Sequence, residues 1–183
     1  MADDEGAFGD DPWDFPHLDR RGNARMVDVT GKPPTARRAV ASGRVVMAPE
    51  TVRLVATGAL PGGDVLAAAR AAGQLAAKQT ADLLPLCHPL LLGDVTLDFA
   101  IGADYVEVVA GVEAMDRTGV EMEALTACSV AGLTIWASCK SLDQTLRVDA
   151  VAVREKAGGR SGSWTLGADG TVRHVPVALP PQA

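Results

Sequence analysis

Residues 120–142 form the longest segment of helical character in the chain, and they carry charges only near the two ends. Glu121 and Glu123 lie at the start of this segment, Lys140 lies near its end, and the sequence between them is uncharged. The pattern predicts a long core helix, with Thr118 and Glu121 in the spacing of a capping box. The uncharged stretch falls short of the roughly 18 apolar residues of a membrane-spanning helix, so we expect no membrane span.

The segments around this helix predict an α+β domain. Helices are interspersed with a hairpin and no strand-helix-strand unit repeats, which favours an antiparallel sheet covered by helices on one face. A doubly wound sheet is the alternative. The expected elements are a strand at residues 37–47, a short helix at 49–58, a helix capped by Asp64 at 65–84, a hairpin of 94–101 and 105–112, the long helix, a strand at 146–154, and strand-like pieces at 164 and 172–177.

The acidity of the chain is concentrated at its N-terminus. The formal net charge is -6, but six of the 23 acidic residues lie in the first 16 positions, and the rest of the chain has 17 acids and 17 bases. We therefore expect a disordered acidic arm at residues 1–24, a folded domain at 25–178 and a short tail at 179–183. A neutral domain lacks the clustered basic surface that nucleic-acid binding requires.

The sequence also indicates in which compartment the protein resides and whether it binds a cofactor. The N-terminus lacks the basic and apolar segments of a signal peptide, so we expect a cytoplasmic protein. The three cysteines have no CxxC spacing, and no Cys, His and carboxylate cluster has the spacing of metal ligands. We therefore expect neither a disulfide framework nor a bound metal or other cofactor.

The charged ends of the long helix permit two interpretations. Glu121 and Lys140 are roughly 28 Å apart along an α-helix, too far to share one small-molecule site within a chain. A two-fold partner would bring Lys140 of one chain towards Glu121 of the other, which predicts a homo-oligomer with sites between subunits. Alternatively, these charges only complement the helix dipole.

Two other regions carry candidate site residues. His88 precedes a proline, which favours an extended backbone, and it is either a proton-transfer group or a hydrogen-bonded structural residue. The Gly-rich segment 156–162 offers Lys156 and Arg160, and Lys32 and Arg37 flank a Pro-Pro turn. These cations form either an anion site or solvated turns.

Several blocks of sequence, in the same order, resemble the MoaC family of molybdenum cofactor biosynthesis. The blocks are MVDVTGK at 26–32, GDV at 63–65 with AARAAG at 68–73, DLLPLCHPL at 82–90 and TGVEMEALT at 118–126. The resemblance covers about residues 24–165. It implies a ferredoxin-like α+β fold and a hexamer built as a trimer of dimers, with active sites between subunits. It also implies the conversion of 3',8-cyclo-7,8-dihydro-GTP to cyclic pyranopterin monophosphate with release of pyrophosphate.

The same resemblance assigns the site residues of a small-molecule enzyme. Its catalytic candidates are His88, Lys140, Glu121 and Glu123. Its substrate-binding candidates are Lys32, Arg37, Cys87, Met122, Trp136, Ala137, Lys156 and Arg160.

Two positions depart from the family pattern. The family has a Lys before Gly-Asp-Val, where this chain has Gly62, and an Asp at the position of Ala137. Neither replacement can move a proton, and the loss of one positioned acid or base typically costs 10²–10⁴-fold in rate. The first hypothesis is therefore an enzyme diverted to a cyclisation or rearrangement of another anionic polycyclic or nucleotide-derived molecule. The alternatives are the parent synthase and a non-catalytic ligand-binding or oligomer partner.

Overall fold

Six strands and four helices make up the part of the chain that the computed structural model describes, residues 17–19, 21–159 and 162–174. The elements are β1 (Thr35–Val46), α1 (Pro49–Ala56), α2 (Val65–Lys78), α3 (Thr80–Leu83), β2 (Leu92–Ile101), β3 (Tyr105–Asp116), α4 (Glu121–Cys139), β4 (Arg147–Ala157), β5 (Trp164–Leu166) and β6 (Val172–His174).

The strands form one sheet in the order β2-β3-β1-β4-β5-β6, and every neighbouring pair is antiparallel. Helices connect β1 to β2 and β3 to β4, so the first four strands have the ferredoxin-like arrangement. The expected α+β fold is therefore confirmed, and the doubly wound alternative is wrong.

The helices α2 and α4 lie side by side on one face of the sheet. α4 packs on β1, β3 and β4, and α2 packs on β2 and on α4. Small side chains allow a close approach, since a Cβ at Gly73 of α2 would lie 2.9 Å from the carbonyl oxygen of Ala127 in α4. In the described part of the chain, α4 is the one helix long and apolar enough to cross a membrane, but it buries Ala124, Ala131 and Ile135 against the sheet. It is the core helix of the domain.

Helix termini test the capping predictions directly. Asp64 caps α2 as expected, because its carboxylate accepts hydrogen bonds from the backbone N–H groups of Leu66 and Ala67, both at 3.0 Å. The capping box at α4 is wrong: Val120 is the N-cap residue and no side chain caps the helix. Because Thr118 is not the N-cap residue, Glu121 occupies the first helical position rather than the third, and its carboxylate pairs with Lys156.

Several expected boundaries also change. β3 continues to Asp116 rather than ending at residue 112, and α4 ends at Cys139 rather than at residue 142. The helix that begins at Val65 ends at Lys78 and is followed by the single turn α3, rather than continuing to residue 84. Lys156 and Ala157 belong to β4, so the Gly-rich turn begins at Gly158.

The described end of the N-terminal arm forms a turn. The carboxylate of Asp19 accepts hydrogen bonds from the backbone N–H groups of Arg21 and Asn23, both at 2.8 Å. Leu18 and Ala24 form an isolated antiparallel bridge. The expected disorder of residues 1–16 and the expected tail at 179–183 lie outside the described residues.

Candidate active site

A cleft of about 660 Å³ lies beside the start of α4. Its walls come from the turn before β1, the segment after α3, the loop between β3 and α4, and the end of β4. Seven residues expected from the sequence line it: Lys32, Arg37, Cys87, His88, Met122, Glu123 and Lys156. Segments distant in sequence are thus brought together by the pairing of β1 with β3 and β4.

Glu121 joins this group through an ion pair. Its carboxylate lies 2.5 Å from Nζ of Lys156, and both side chains are largely buried. Gly119 makes room for this arrangement, because a Cβ there would collide with the Glu121 carboxylate. The Lys156 ammonium is therefore held in place at the cleft.

Glu123 is the most unusual titratable group of the cleft. It is only 4% exposed, and this burial raises its pKa to about 7, with the negative charges of Glu121 and Asp116 adding to the effect. A carboxyl with such a pKa is present in both protonation states near neutral pH, so it can donate or accept a proton.

The cysteine of the cleft is not activated. Burial raises the pKa of the Cys87 thiol, and the charge of Glu123 raises it further. Burial likewise raises the pKa of Cys139 and brings that of Cys128 to about 11. A thiol that stays protonated is a poor nucleophile.

Arg37 is engaged with the protein itself. Its Nε donates to the carbonyl oxygen of Asp116 at 3.1 Å, and its Nη2 donates to that of Arg117 at 3.0 Å. Gly158 and Gly159 pack against the guanidinium group, and a Cβ at Gly159 would overlap it. Arg37, which is 9% exposed, therefore joins the start of β1 to two loops of the cleft.

Besides Glu121, three described residues expected at the site do not line this cleft. Ala137 and Lys140 are exposed at the far end of α4. Trp136 packs against the core, and its indole N–H donates to the carbonyl oxygen of Leu146 at 3.1 Å. Arg160 lies outside the described residues.

The cleft also contains residues that the sequence reasoning missed, among them His17 and Arg117. Arg117 directly precedes the Thr118-Gly119 pair that leads into α4. This position, next to a block that resembles the family, could have indicated from the sequence that Arg117 lies at the site. His17 comes from the turn that ends the acidic arm, where composition gave no indication of a site. Within the described residues, no three His, Cys, Asp or Glu side chains converge to hold a metal ion.

Comparison with known proteins decides the family. The model of the MoaC family matches residues 26–159, which include the expected cleft residues. The chain belongs to the MoaC family. Its MoaC relatives include the cyclic pyranopterin monophosphate synthase of Streptomyces coelicolor, 53% identical over 158 residues that make up 86% of this chain and 93% of the relative.

Two further relatives agree with this assignment. The cyclic pyranopterin monophosphate synthase of Chloroflexus aurantiacus is 54% identical over 150 residues, which are 81% of this chain and 92% of the relative. The molybdenum cofactor biosynthesis bifunctional protein of Chlorobaculum tepidum is 52% identical over 150 residues, 82% of this chain but only 48% of the relative. MoaC sequences therefore occur both as separate proteins and as part of a longer one.

Proposed function

We propose that this MoaC-family protein is a cytoplasmic cyclic pyranopterin monophosphate synthase. It would convert 3',8-cyclo-7,8-dihydro-GTP to cyclic pyranopterin monophosphate and release pyrophosphate. The names of relatives more than 50% identical over most of both chains support this activity rather than a diverted one. The observation that carries the proposal is the cleft that combines His88, Glu123 and Lys156.

The chemistry of the cleft suits this substrate. A volume of about 660 Å³ is within the range of small-molecule sites and can accept a nucleotide-sized ligand. The cations at its wall oppose the negative charge of a triphosphate and of the departing pyrophosphate. His88 and Glu123 supply groups that can move protons during ring closure, Glu123 through its pKa of about 7.

The test is conversion of 3',8-cyclo-7,8-dihydro-GTP by the purified protein, followed as pyrophosphate release and pterin product. We expect turnover by the wild type and a loss of about 10²–10⁴-fold in Glu123→Gln, which keeps the shape but cannot ionise. Glu50→Gln is the matched control, because Glu50 is 73% exposed on α1 and does not line the cleft. Absence of turnover in correctly folded wild type would refute the proposed activity.

A second candidate, a related cyclisation of another anionic substrate, rests on the two departures from the family pattern, at Gly62 and Ala137. Gly62 has φ +109, a conformation that L side chains rarely adopt, and lies outside the cleft. Ala137 is exposed one helical turn from Lys140. The turn is thus suited to glycine rather than to the Lys that the family resemblance implies.

The double variant Gly62→Lys/Ala137→Asp separates the two candidates. Under the first, restoring these groups should increase a synthase activity that is already measurable. Under the second, the wild type shows no synthase activity and the double variant gains it. Gly62→Ala controls for strain at this turn, since it imposes a Cβ without an amine.

We also propose that Lys140 acts across a subunit interface, in a dimer or a trimer of dimers. Within one chain Lys140 stands at the end of α4 opposite Glu121, which lies beside the cleft. Mixing His88→Ala with Lys140→Ala subunits should then regenerate intact sites and restore about a quarter of wild-type activity after random exchange of dimers. No recovery in a mixture whose subunits have exchanged would refute the shared site.

A further inference from the structure

The cations of the cleft differ in how far the protein itself engages them. Four described cations line it: Lys32, Arg37, Arg117 and Lys156. Arg37 is buried and donates to two backbone carbonyl oxygens. Lys156 is paired with Glu121 at 2.5 Å. Both are therefore held by protein acceptors before any ligand arrives.

Arg117 is fixed in a different way. Its Nε donates to the carbonyl oxygen of Lys32 at 2.7 Å, which connects the loop before α4 to the turn before β1. Its own carbonyl oxygen accepts from Arg37. Among the described residues, no acid or carbonyl accepts a hydrogen bond from either Nη group of Arg117. The guanidinium is thus held in orientation through its Nε, it is exposed, and the N–H donors of its Nη groups are available to a ligand.

This combination is what recognition of a phosphate group requires. A guanidinium offers paired N–H donors in a fixed fork, and such a fork matches phosphate oxygens. A group already held at Nε loses less conformational freedom on binding than an unrestrained side chain. Lys32 lies at the same wall of the cleft and adds a second positive charge.

We propose that Arg117 is a substrate-binding residue that grips the polyphosphate of the ligand, and that Arg37 is a positioning residue that holds the Arg117 loop. The ligands that Arg117 would bind are compounds with two or more linked phosphate groups. The assignment deepens the proposed synthase activity, but it concerns only binding and therefore can be tested without turnover.

The experiment measures the affinity of purified full-length protein for inorganic triphosphate by calorimetry at low ionic strength. Arg117→Gln should weaken binding by about 10–100-fold, since it removes charge-assisted hydrogen bonds to the phosphate oxygens. Arg117→Lys keeps the charge but lacks the fork, so its affinity should fall between the two. Arg53→Gln is the matched control, because Arg53 is 73% exposed on α1 and should bind like the wild type.

Arg37→Gln gives the contrasting signature of a positioning residue. It should lower both the melting temperature and the affinity, because it loses two partly buried hydrogen bonds. Arg117→Gln, which loses one exposed hydrogen bond to Lys32, should lower mainly the affinity. Binding by Arg117→Gln within twofold of the wild type would overturn the inference, and so would a wild type that does not bind triphosphate. If triphosphate binding depends on Arg117 but the cyclic nucleotide is not converted, this inference stands and the proposed synthase activity fails.

Discussion

Asp143 holds the start of α1 against the segment that follows α4, and its replacement should be strongly destabilising. Its side chain is 7% exposed and accepts four hydrogen bonds. The donors are the backbone N–H of Ala48 at 2.7 Å, the hydroxyl of Thr51 at 3.3 Å, and the N–H and hydroxyl of Thr145 at 2.8 and 2.6 Å.

These contacts set the expected magnitude for Asp143→Ala. Hydrogen bonds to a charged group contribute about 1.5–3 kcal/mol each, but water and partial relaxation recover some of the loss. The change also leaves donors near the N-terminus of α1 without an acceptor, and α1 has no other side-chain cap. We therefore expect a loss of about 3–5 kcal/mol in the free energy of unfolding, a large part of the stability of a domain.

The assay is urea unfolding at pH 7, followed by far-UV circular dichroism, with Asp143→Asn as a second variant. The amide retains one acceptor oxygen but not the charge, so it should lose about half as much stability. The pKa of Asp143 is lowered to about 2, first by the hydroxyl of Thr145 and then by the backbone N–H of Ala48. Its stabilisation should thus be complete above about pH 4 and disappear as the pH falls through 2. A loss below about 1 kcal/mol in Asp143→Ala would refute this account.

Two further predictions concern the cleft. Gly159→Ala should lower the free energy of unfolding by about 1–3 kcal/mol, because Gly159 has φ +79 and a Cβ there would displace the Arg37 guanidinium. Thermal unfolding measures this loss, and an unchanged melting temperature would contradict the packing. Because the pKa of Glu123 is higher in the folded protein than the value near 4.5 of the unfolded chain, protonated Glu123 stabilises the fold. This stabilisation is complete below about pH 4.5 and is lost as the pH rises through 7. The melting temperature of Glu123→Gln relative to the wild type should therefore increase from pH 4.5 to 7 and level off above it, and a constant difference would exclude the pKa shift.

Local sequence patterns were sufficient for most of the fold. Alternation predicted the β2–β3 hairpin, and Asp64 and Pro49 marked helix starts that the structure confirms. The capping box failed because Val120 and not Thr118 is the N-cap residue of α4. The carboxylate of Glu121 pairs with Lys156, a residue on another element that no local pattern reveals. Local propensity therefore gave the elements but not the charged contacts between them.

The site was less predictable than the fold. The residues that the family resemblance assigned near His88 and Glu123 do line one cleft, but composition could not distinguish a cation that binds ligand from one that binds the protein. Arg37 illustrates this, because its acceptors lie at the end of β3 and in the loop that follows it, far away in sequence. The importance of Arg117 depends on the same tertiary contacts.

The cleft is assembled from five separate stretches of chain, and three of them meet only while β1 is paired with both β3 and β4. Unfolding of any one of these pairings removes the binding site, and the ligand then binds the native state alone. A ligand present at about 100 times its dissociation constant would stabilise such a protein by about 2.7 kcal/mol. In a cell, the supply of substrate would then help determine how much of the protein survives proteolysis.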